Sequence, residues 1–133
     1  MKEEMTYDHT LMTPYVPVAL YFEEADIVEY VRRDIACVHQ RVDEVLTLVL
    51  DMQTREPIGF TLKGFKNFYM RHIQPKANAE EHDFVLLTSV LEEAVGFVGD
   101  GLFDHAERQR AYAKALDIAS KDEVRLRELP RAA

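Results

Sequence analysis

The segment from Lys63 to Lys76, KGFKNFYMRHIQPK, combines basic and aromatic side chains at close spacing. The basic residues are Lys63, Lys66, Arg71 and Lys76, and the interleaved rings are Phe65, Phe68, Tyr69 and His72. Such a combination can neutralise phosphates and stack bases of a single strand, so the four basic residues are candidate contacts for an anion or a nucleic acid. The rings also recur at helical spacing, which predicts instead that they form the core stripe of a helix and leave the basic residues in solvent.

Cys37 and His39 lie two positions apart in a segment predicted to be a strand, so their side chains point to one face. A catalytic Cys–His pair needs an imidazole that lowers the thiol pKa and a third group that orients the imidazole. The sequence identifies no third group, and a lone cysteine is commonly a small buried apolar side chain. We therefore assign no catalytic residue here.

A cluster of acids and a histidine, Glu80 to Asp83, has the residue types of a metal site, and Asp100, Asp104 and His105 follow it in the next turn region. Consecutive helical residues spread around the helix, so the four side chains of Glu80 to Asp83 cannot all converge on one ion. Acids at helix N-termini are favoured by the helix dipole, and they serve there as caps. The sequence thus predicts caps, and we assign no metal ligand, cofactor-binding residue or cofactor.

Several signatures of enzymes are missing from the sequence. No histidine has a glutamate three positions before it, and there is no His-Glu-x-x-His, Gly-x-Ser-x-Gly or Walker A motif. Gly99-Asp100-Gly101 follows a predicted helix instead of a strand, so it indicates a turn and not a dinucleotide loop. The enzyme question stays open, with the sequence favouring a protein that is not an enzyme.

Composition and charge bound the remaining classes. The 133 residues are 47% hydrophobic and 30% charged, which is typical of one globular domain. The net charge of −8 argues against nucleic acid as the default partner, although residues 31–76 hold eight basic and five acidic residues, or +3. The apolar run Phe84 to Val98 contains two glutamates and is too short to span a bilayer. The single cysteine and the acidic, proline-broken N-terminus predict a cytoplasmic protein.

The first half of the chain has the alternation of strands. Val16, Val18, Leu20 and Phe22 alternate with Tyr15, Pro17, Ala19 and Tyr21, and short polar turns separate four further apolar stretches up to Leu62. The stretch Val45–Leu50 is apolar at nearly every position, which predicts a strand covered on both faces. Residues 15–63 are therefore predicted to form an antiparallel β-meander of four to five strands.

The second half has helical periodicity. The spacing predicts one helix over 65–73, a second whose buried face runs from Phe84 to Val98, and a third from a cap at Asp104 to about Ser120. Asn78 and Glu81 are predicted to cap the second helix. Residues 64–120 thus form the helical part of a single α+β domain, with three helices packing on the sheet, and 121–133 are predicted to be a loose tail.

The stretch YFEEADIVEYV, Tyr21 to Val31, resembles the opening of the uncharacterised bacterial family DUF2283, with a strand, an acidic turn containing Ala-Asp and a second strand with an aromatic residue. The resemblance continues through Val42–Leu46 and Leu48–Asp51 to Ile58-Gly59-Phe60-Thr61-Leu62, and covers roughly residues 18–63. The turn Gln53–Glu56 lacks the glycine usual in the family, and the helical half has no counterpart in its short members. The resemblance implies a compact β-meander and no catalytic residues.

These observations favour a small cytoplasmic, bacterial-type protein that acts through assembly. Because one set of helices covers only one face of a sheet, the two-sided strand Val45–Leu50 predicts a homo-oligomer, most simply a dimer, and leaves room for another protein partner. Two alternatives stay open. One is a nucleic-acid-associated regulator that uses Lys63–Lys76, and the other is a small enzyme with a pocket between sheet and helices that holds His39, His72 or His105.

Overall fold

Five antiparallel strands and three helices account for most of the structure, a computed structural model that describes residues 15–74, 84–98 and 106–127. The strands are β1 Leu20–Phe22, β2 Ile27–Val31, β3 Cys37–Arg41, β4 Leu46–Asp51 and β5 Pro57–Lys63. The helices that follow the sheet are α1, α2 and α3, whose bounds are given below. The predicted α+β class, an antiparallel sheet followed by three helices, is confirmed.

The order of the strands in the sheet is β1-β2-β5-β4-β3, so the chain is not one continuous meander. Strands β3, β4 and β5 do form a meander, but β2 pairs with β5, with Val28 opposite Leu62 and Tyr30 opposite Phe60. Gly59 permits this pairing, because a Cβ atom there would collide with the backbone oxygen of Tyr30. The longest strand thereby becomes the centre of the sheet, and the prediction of a simple meander is wrong at the β2–β3 connection.

Two of the three helices lie where the periodicity predicts them. Helix α1 is Phe65–Phe68 and continues as a π-helix over Tyr69–Ile73, and α3 is Ala106–Lys121. Helix α2 begins only at Leu87 and ends at Val98. The residues before it, Val85–Leu86, form a short strand β6 instead of the predicted first helical turn. The predicted caps Asn78, Glu81 and Asp104 lie outside the described residues.

The start of α1 is held by a residue forty positions earlier in the chain. Gly64 precedes the helix with φ of 68°, a left-handed conformation that favours glycine, and it has no side chain to cap the helix. Asp26 supplies the cap instead: its Oδ1 accepts the N–H of Lys66 at 2.8 Å and the hydroxyl of Tyr21 at 2.7 Å. The turn between β1 and β2 therefore fixes where α1 begins.

The three helices cover one face of the sheet. The core between them contains Val28, Leu46, Leu48, Phe60 and Leu62 from the strands and Phe65, Leu87, Leu91, Tyr112 and Ile118 from the helices. On the opposite face, β4 presents Thr47, Val49 and Asp51, and Val49 is fully buried within a single chain. Val45–Leu50 is therefore covered on both faces as predicted, but the cover at Val49 lies within a single chain, so this strand gives no reason for a second copy.

Residues 122–127, which follow α3, do not form the predicted loose tail. Arg125–Leu126 form strand β7, which pairs with β6, and both Val124 and Leu126 are buried. Asp122 accepts two hydrogen bonds from the Arg32 guanidinium, each 2.9 Å long, and one of 2.7 Å from the Tyr30 hydroxyl. This segment is thus anchored to both the sheet and the helices. Residues 128–133 lie outside the described residues.

No helix in the described part of the chain is long and apolar enough to cross a membrane.

Candidate functional site

A stripe of exposed apolar side chains runs along β1 and the residues before it. Val16, Val18, Leu20 and Phe22, here called the β1 stripe, are 65%, 56%, 41% and 46% exposed. The alternate residues Ala19 and Tyr21 face the core, where the Tyr21 ring lies 5.8 Å from that of Phe65. Apolar side chains grouped on an edge strand are a usual feature of surfaces that bind another chain.

The backbone of β1 is also available, because β1 lies at one edge of the sheet and pairs only with β2 among the described strands. An edge strand offers its outward N–H and C=O groups to an added strand. Pro17 lacks an N–H and therefore limits such pairing to the residues after it. The open backbone and the β1 stripe form one continuous surface.

A cavity of about 400 Å³ lies where the ends of β4 and β5 meet α1 and α2. Its apolar lining is contributed by Val45, Leu62, Phe65, Phe68, Val90 and Ala94. Lys63, Arg71 and His72 line it together with Asn67 and Glu44. We call it the apolar cavity. A concave apolar site with a few polar groups is the common form of a small-molecule site.

The structure separates the four basic residues of the segment 63–76. Lys63 and Arg71 are exposed and line the apolar cavity, whereas Lys66 is half-buried and does not line it. Lys76 lies outside the described residues. Phe65 and Tyr69 are buried in the core as the helical spacing predicts, and Phe68 is only partly buried, with its ring 5.0 Å from that of His72. A stacking platform for bases would need the buried rings on the surface.

Cys37 and His39 lie on β3, the other edge strand, and their side chains share one face as predicted, which is the helix-free face. Cys37 is half-exposed and His39 is exposed. Neither side chain takes part in a hydrogen bond or ion pair with another described side chain, so no orienting group for an imidazole is found in this part of the structure.

The acidic cluster Glu80–Asp83, together with Asp100, Asp104 and His105, lies outside the described residues. Within 15–74, 84–98 and 106–127, no three His, Cys, Asp or Glu side chains are grouped as metal ligands.

A second cavity, of about 380 Å³, lies between β3 and α3 and has a mostly polar lining. Four of its lining residues are basic: Arg41 from β3, and Arg108, Arg110 and Lys114 from α3. Gln40 and Glu107 also line this basic cavity. The sequence does not reveal this cavity, because Arg41 is far from the other three basic residues in the chain. The one available signal was the spacing of 107, 110, 111 and 114, which places these residues on one helical face.

A hydrogen-bond network behind the basic cavity holds Arg108. Asp43 accepts 3.1 Å and 2.8 Å bonds from the Arg108 guanidinium and the Tyr112 hydroxyl, and 2.8 Å and 2.7 Å bonds from the N–H groups of Val45 and Leu46. Burial raises the pKa of Asp43, but these hydrogen bonds outweigh burial, so its pKa lies below the usual value. The carboxylate is therefore ionised at neutral pH. Burial and the bond to Asp43 raise the pKa of Tyr112, which stays a neutral donor.

Comparison with protein-family models, curated proteins and solved structures gives no match for the chain. The resemblance of residues 18–63 to DUF2283 therefore stays a prediction from the sequence.

Proposed function

We propose that this protein is a non-enzymatic interaction protein that assembles as a homodimer through β1. The observation that carries the proposal is the β1 stripe, four apolar side chains along an edge strand and the residues just before it, each at least 41% exposed. The sequence placed the reason for assembly on Val45–Leu50, and the proposal moves it to β1 at the edge of the sheet. A cytoplasmic setting fits the single thiol of Cys37, and we include it in the proposal.

Antiparallel pairing of two β1 strands favours a second copy of this chain as the partner. A two-fold axis near Leu20 brings the stripe of each copy beside the stripe of the other. It also places the acidic turn of one copy, which contains Glu23 and Glu24, near the opposite end of the partner's strand, where Arg32 and Arg33 follow β2. Because Arg32 and Arg33 already pair with Asp122 and Glu56 of their own chain, the main electrostatic effect is that the two acidic turns are kept apart.

Light scattering at micromolar concentration tests the proposal. The wild-type chain is expected at twice 15.4 kDa, and Leu20→Lys is expected at 15.4 kDa, because lysine on an edge strand opposes pairing. Ile35→Lys is the matched control: Ile35 is 42% exposed, much like Leu20, but lies outside the stripe, so this variant keeps the mass of the wild type. A wild-type mass of 15.4 kDa at all concentrations, or equal effects of the two variants, would contradict the proposal.

As a second candidate function, we propose that the apolar cavity binds a small molecule with an apolar body and one anionic group. Lys63 and Arg71 can pair with the anion while Leu62, Phe68 and Val90 contact the apolar body. The π-helix Tyr69–Ile73, which carries Arg71 and His72, supports a site here because π-turns occur frequently at functional sites. This candidate retains the His72 pocket of the enzyme alternative, and it proposes binding without a reaction.

The fluorescent anion 8-anilinonaphthalene-1-sulfonate is a suitable probe for this cavity. We expect Ala94→Phe, which fills the cavity, to abolish the fluorescence gain and Arg71→Gln to weaken binding. Lys66→Gln, on the same helix but outside the lining, is expected to leave binding unchanged. If Leu20→Lys removes the signal and Ala94→Phe does not, the dye binds the β1 stripe and the cavity candidate is wrong.

A further inference from the structure

We infer that the side chains of the β1 stripe are a docking surface for a basic amphipathic helix of another protein. Strand pairing uses the backbone N–H and C=O groups at the edge of β1, whereas the side chains stand roughly perpendicular to the sheet. Pairing of two β1 strands, as in the proposed dimer, therefore leaves the side chains of the stripe uncovered. The inference adds a partner on the face of the sheet, and it does not depend on the dimer.

The strand register places the stripe on the face of the sheet that the helices do not cover. Leu20 lies opposite Glu29 of β2, and Phe22 lies opposite Ile27. Val28, between Ile27 and Glu29 in the chain, is fully buried in the core beneath the helices. Because successive side chains of a strand point to opposite faces, Leu20 and Phe22 project from the helix-free face. Ile27, which is half-buried, extends the apolar surface toward the middle of the sheet.

The surroundings of the stripe carry an excess of negative charge. Among the described residues, four nearby carboxylates take part in no ion pair: Glu23, Glu24, Glu29 and Asp34. Glu23 and Glu24 follow the stripe directly in the turn after Phe22. Burial and the charges of Asp34 and Glu29 raise the pKa of Tyr15, so both carboxylates lie near the residue that precedes the stripe. Lys63, opposite Ile27, offsets one of the four charges.

This charge decides between the possible partners of the apolar surface. A second copy stacked face to face would bring acidic residues against acidic residues, and an anionic membrane surface would be repelled in the same way. A partner with lysine or arginine beside its apolar side chains is complementary to the stripe and to the carboxylates around it. The partner of the stripe is therefore basic.

The dimensions of the stripe fit a helix. The six residue steps from Val16 to Phe22 span at most about 20 Å. A helix rises about 1.5 Å per residue, so about 13 residues, or nearly four turns, cover this length. Apolar side chains at i, i+3, i+4 and i+7 of such a helix lie on the stripe, and basic side chains on its flanks reach the carboxylates. Helices already cover the opposite face of this sheet, which is the usual way to bury one apolar face of a sheet.

Fluorescence anisotropy with a labelled 15-residue peptide of leucine and lysine, its leucines at helical spacing, tests the surface. We expect the full chain to bind this peptide and not a control peptide with glutamate in place of lysine. Phe22→Ser is expected to weaken binding about tenfold, because a half-exposed ring loses its apolar contact. Met52→Ser is the matched control: Met52 is 47% exposed, against 46% for Phe22, but lies in the β4–β5 turn, so this variant keeps the affinity of wild type.

A second pair of variants tests the role of charge. Glu29→Gln is expected to weaken binding of the lysine peptide about threefold at low salt, and the difference from wild type should shrink as salt is added. Glu92→Gln removes the same charge from an exposed position on α2 and should leave the affinity unchanged. Equal losses in Glu29→Gln and Glu92→Gln, or in Phe22→Ser and Met52→Ser, would overturn the inference.

Light scattering of the same samples separates this inference from the proposed dimer. A mass of twice 15.4 kDa without peptide binding overturns the inference and leaves the dimer, whereas a mass of 15.4 kDa with binding that depends on Phe22 does the reverse. Binding of phosphatidylglycerol vesicles that is lost in Phe22→Ser would assign the stripe to lipid and overturn the inference. A mass above twice 15.4 kDa that Phe22→Ser lowers would assign it to further copies of the chain and overturn the inference as well.

Discussion

Two carboxylates, Asp43 and Asp122, join the sheet to α3 at its two ends. Asp43, between β3 and β4, bonds to Arg108 and Tyr112 near the start of the helix, and Asp122, just after the helix, bonds to Tyr30 and Arg32 of the β2 region. Burial raises the pKa of Asp122, but the hydrogen bonds from Arg32 and Tyr30 outweigh it and lower the pKa below its usual value, as at Asp43. Individual residues thus orient the last helix on the sheet.

Removal of the Asp43 carboxylate should lower the stability of the protein. Asp43→Ala leaves the Tyr112 hydroxyl, the Arg108 guanidinium and two backbone N–H groups without their acceptor, and we expect a loss of about 2–4 kcal/mol in the free energy of unfolding. Urea denaturation measures this. Glu56→Ala, which breaks the exposed pair with Arg33, should cost less than about 0.5 kcal/mol. Equal losses in the two variants would show that the Asp43 network is not stabilising.

The hydrogen bonds of Asp43 also predict how the free energy of unfolding depends on pH. Because the pKa of Asp43 is lower in the folded chain than in the unfolded chain, folding favours its ionised form. This stabilisation is complete above the unfolded pKa of about 3.9 and is lost as the pH falls through the lower folded pKa. The difference in unfolding free energy between wild type and Asp43→Asn should therefore be largest near neutral pH and shrink below about pH 4. A difference that stays constant down to pH 3 would contradict this account.

At the scale of elements, α1 and its π-helical continuation show how a correct periodicity can still misplace one residue. Phe65, Tyr69 and Ile73 are buried as predicted, and the Phe65 and Tyr69 rings lie 5.7 Å apart. Phe68 belongs to the same stripe but lines the apolar cavity and is only partly buried. A stripe derived from spacing treats its members alike, whereas packing against α2 and the sheet does not.

Alanine substitutions in this helix should separate core from cavity wall. Phe65→Ala is expected to cost about 3–5 kcal/mol, because the ring is fully enclosed and its loss leaves a void. Phe68→Ala should cost only about 1–2 kcal/mol, since the ring already borders an open cavity. Arg71→Ala, an exposed substitution, should change stability by less than about 0.5 kcal/mol. Chemical denaturation of the three variants provides the measurement, and a larger loss for Phe68 than for Phe65 would reverse the assignment.

The short pair β6–β7 makes the segment after α3 a structural element. Leu126→Ala should lower the free energy of unfolding by about 2–5 kcal/mol, because its side chain is fully buried. Its neighbour Arg125 is exposed, with its guanidinium carbon 5.1 Å from the centre of the Phe84 ring, and Arg125→Ala should cost less than about 1 kcal/mol. Thermal and urea unfolding of the two variants compare adjacent positions. If Leu126→Ala left the free energy of unfolding unchanged, the result would support the prediction of a loose tail.

At the scale of the whole molecule, charge and apolar surface are distributed on different sides. The chain carries −8, yet the basic cavity concentrates cations at the β3 edge, and exposed apolar side chains follow the β1 edge at the opposite side of the sheet. The two edges of one sheet thus present different chemistry, so the proposed assembly through β1 would leave the basic cavity accessible.

The proposed association through β1 predicts that stability depends on protein concentration. A dimer is stabilised by mass action, so the melting temperature of wild type should rise as protein concentration is raised from about 1 to 100 μM. The melting temperature of Leu20→Lys should not change over this range, and Met52→Lys, at a position 47% exposed in the β4–β5 turn, should behave like wild type. Differential scanning calorimetry provides the measurement. A wild-type melting temperature independent of concentration would argue against the dimer.

The sequence by itself determined the fold class, the positions of the five strands of the main sheet, and the helices that begin near 65 and 106, because the period of the apolar pattern is a local property. Periodicity states which residues share a face but not which face the rest of the chain covers. At β1 the structure buries Ala19, partly buries Tyr21 and exposes the more apolar set, because the helices pack on the side of Ala19 and Tyr21. Which face of β1 is buried depends on the position of β1 in the sheet. That position is set by residues that are far from β1 in the chain.

Only the tertiary structure decided the strand order, the β6–β7 pair and both cavities. The pairing of β2 with β5 depends on a glycine that lets two backbones meet, and a strand pattern does not reveal which backbone approaches it. The basic residues 63–76 were visible as a cluster in the sequence, yet the basic residues that line one cavity together are Arg41, Arg108, Arg110 and Lys114. Electrostatic interaction depends on distance in space, and the fold brings residue 41 beside residue 108 while it separates Lys66 from the cavity that Lys63 and Arg71 line.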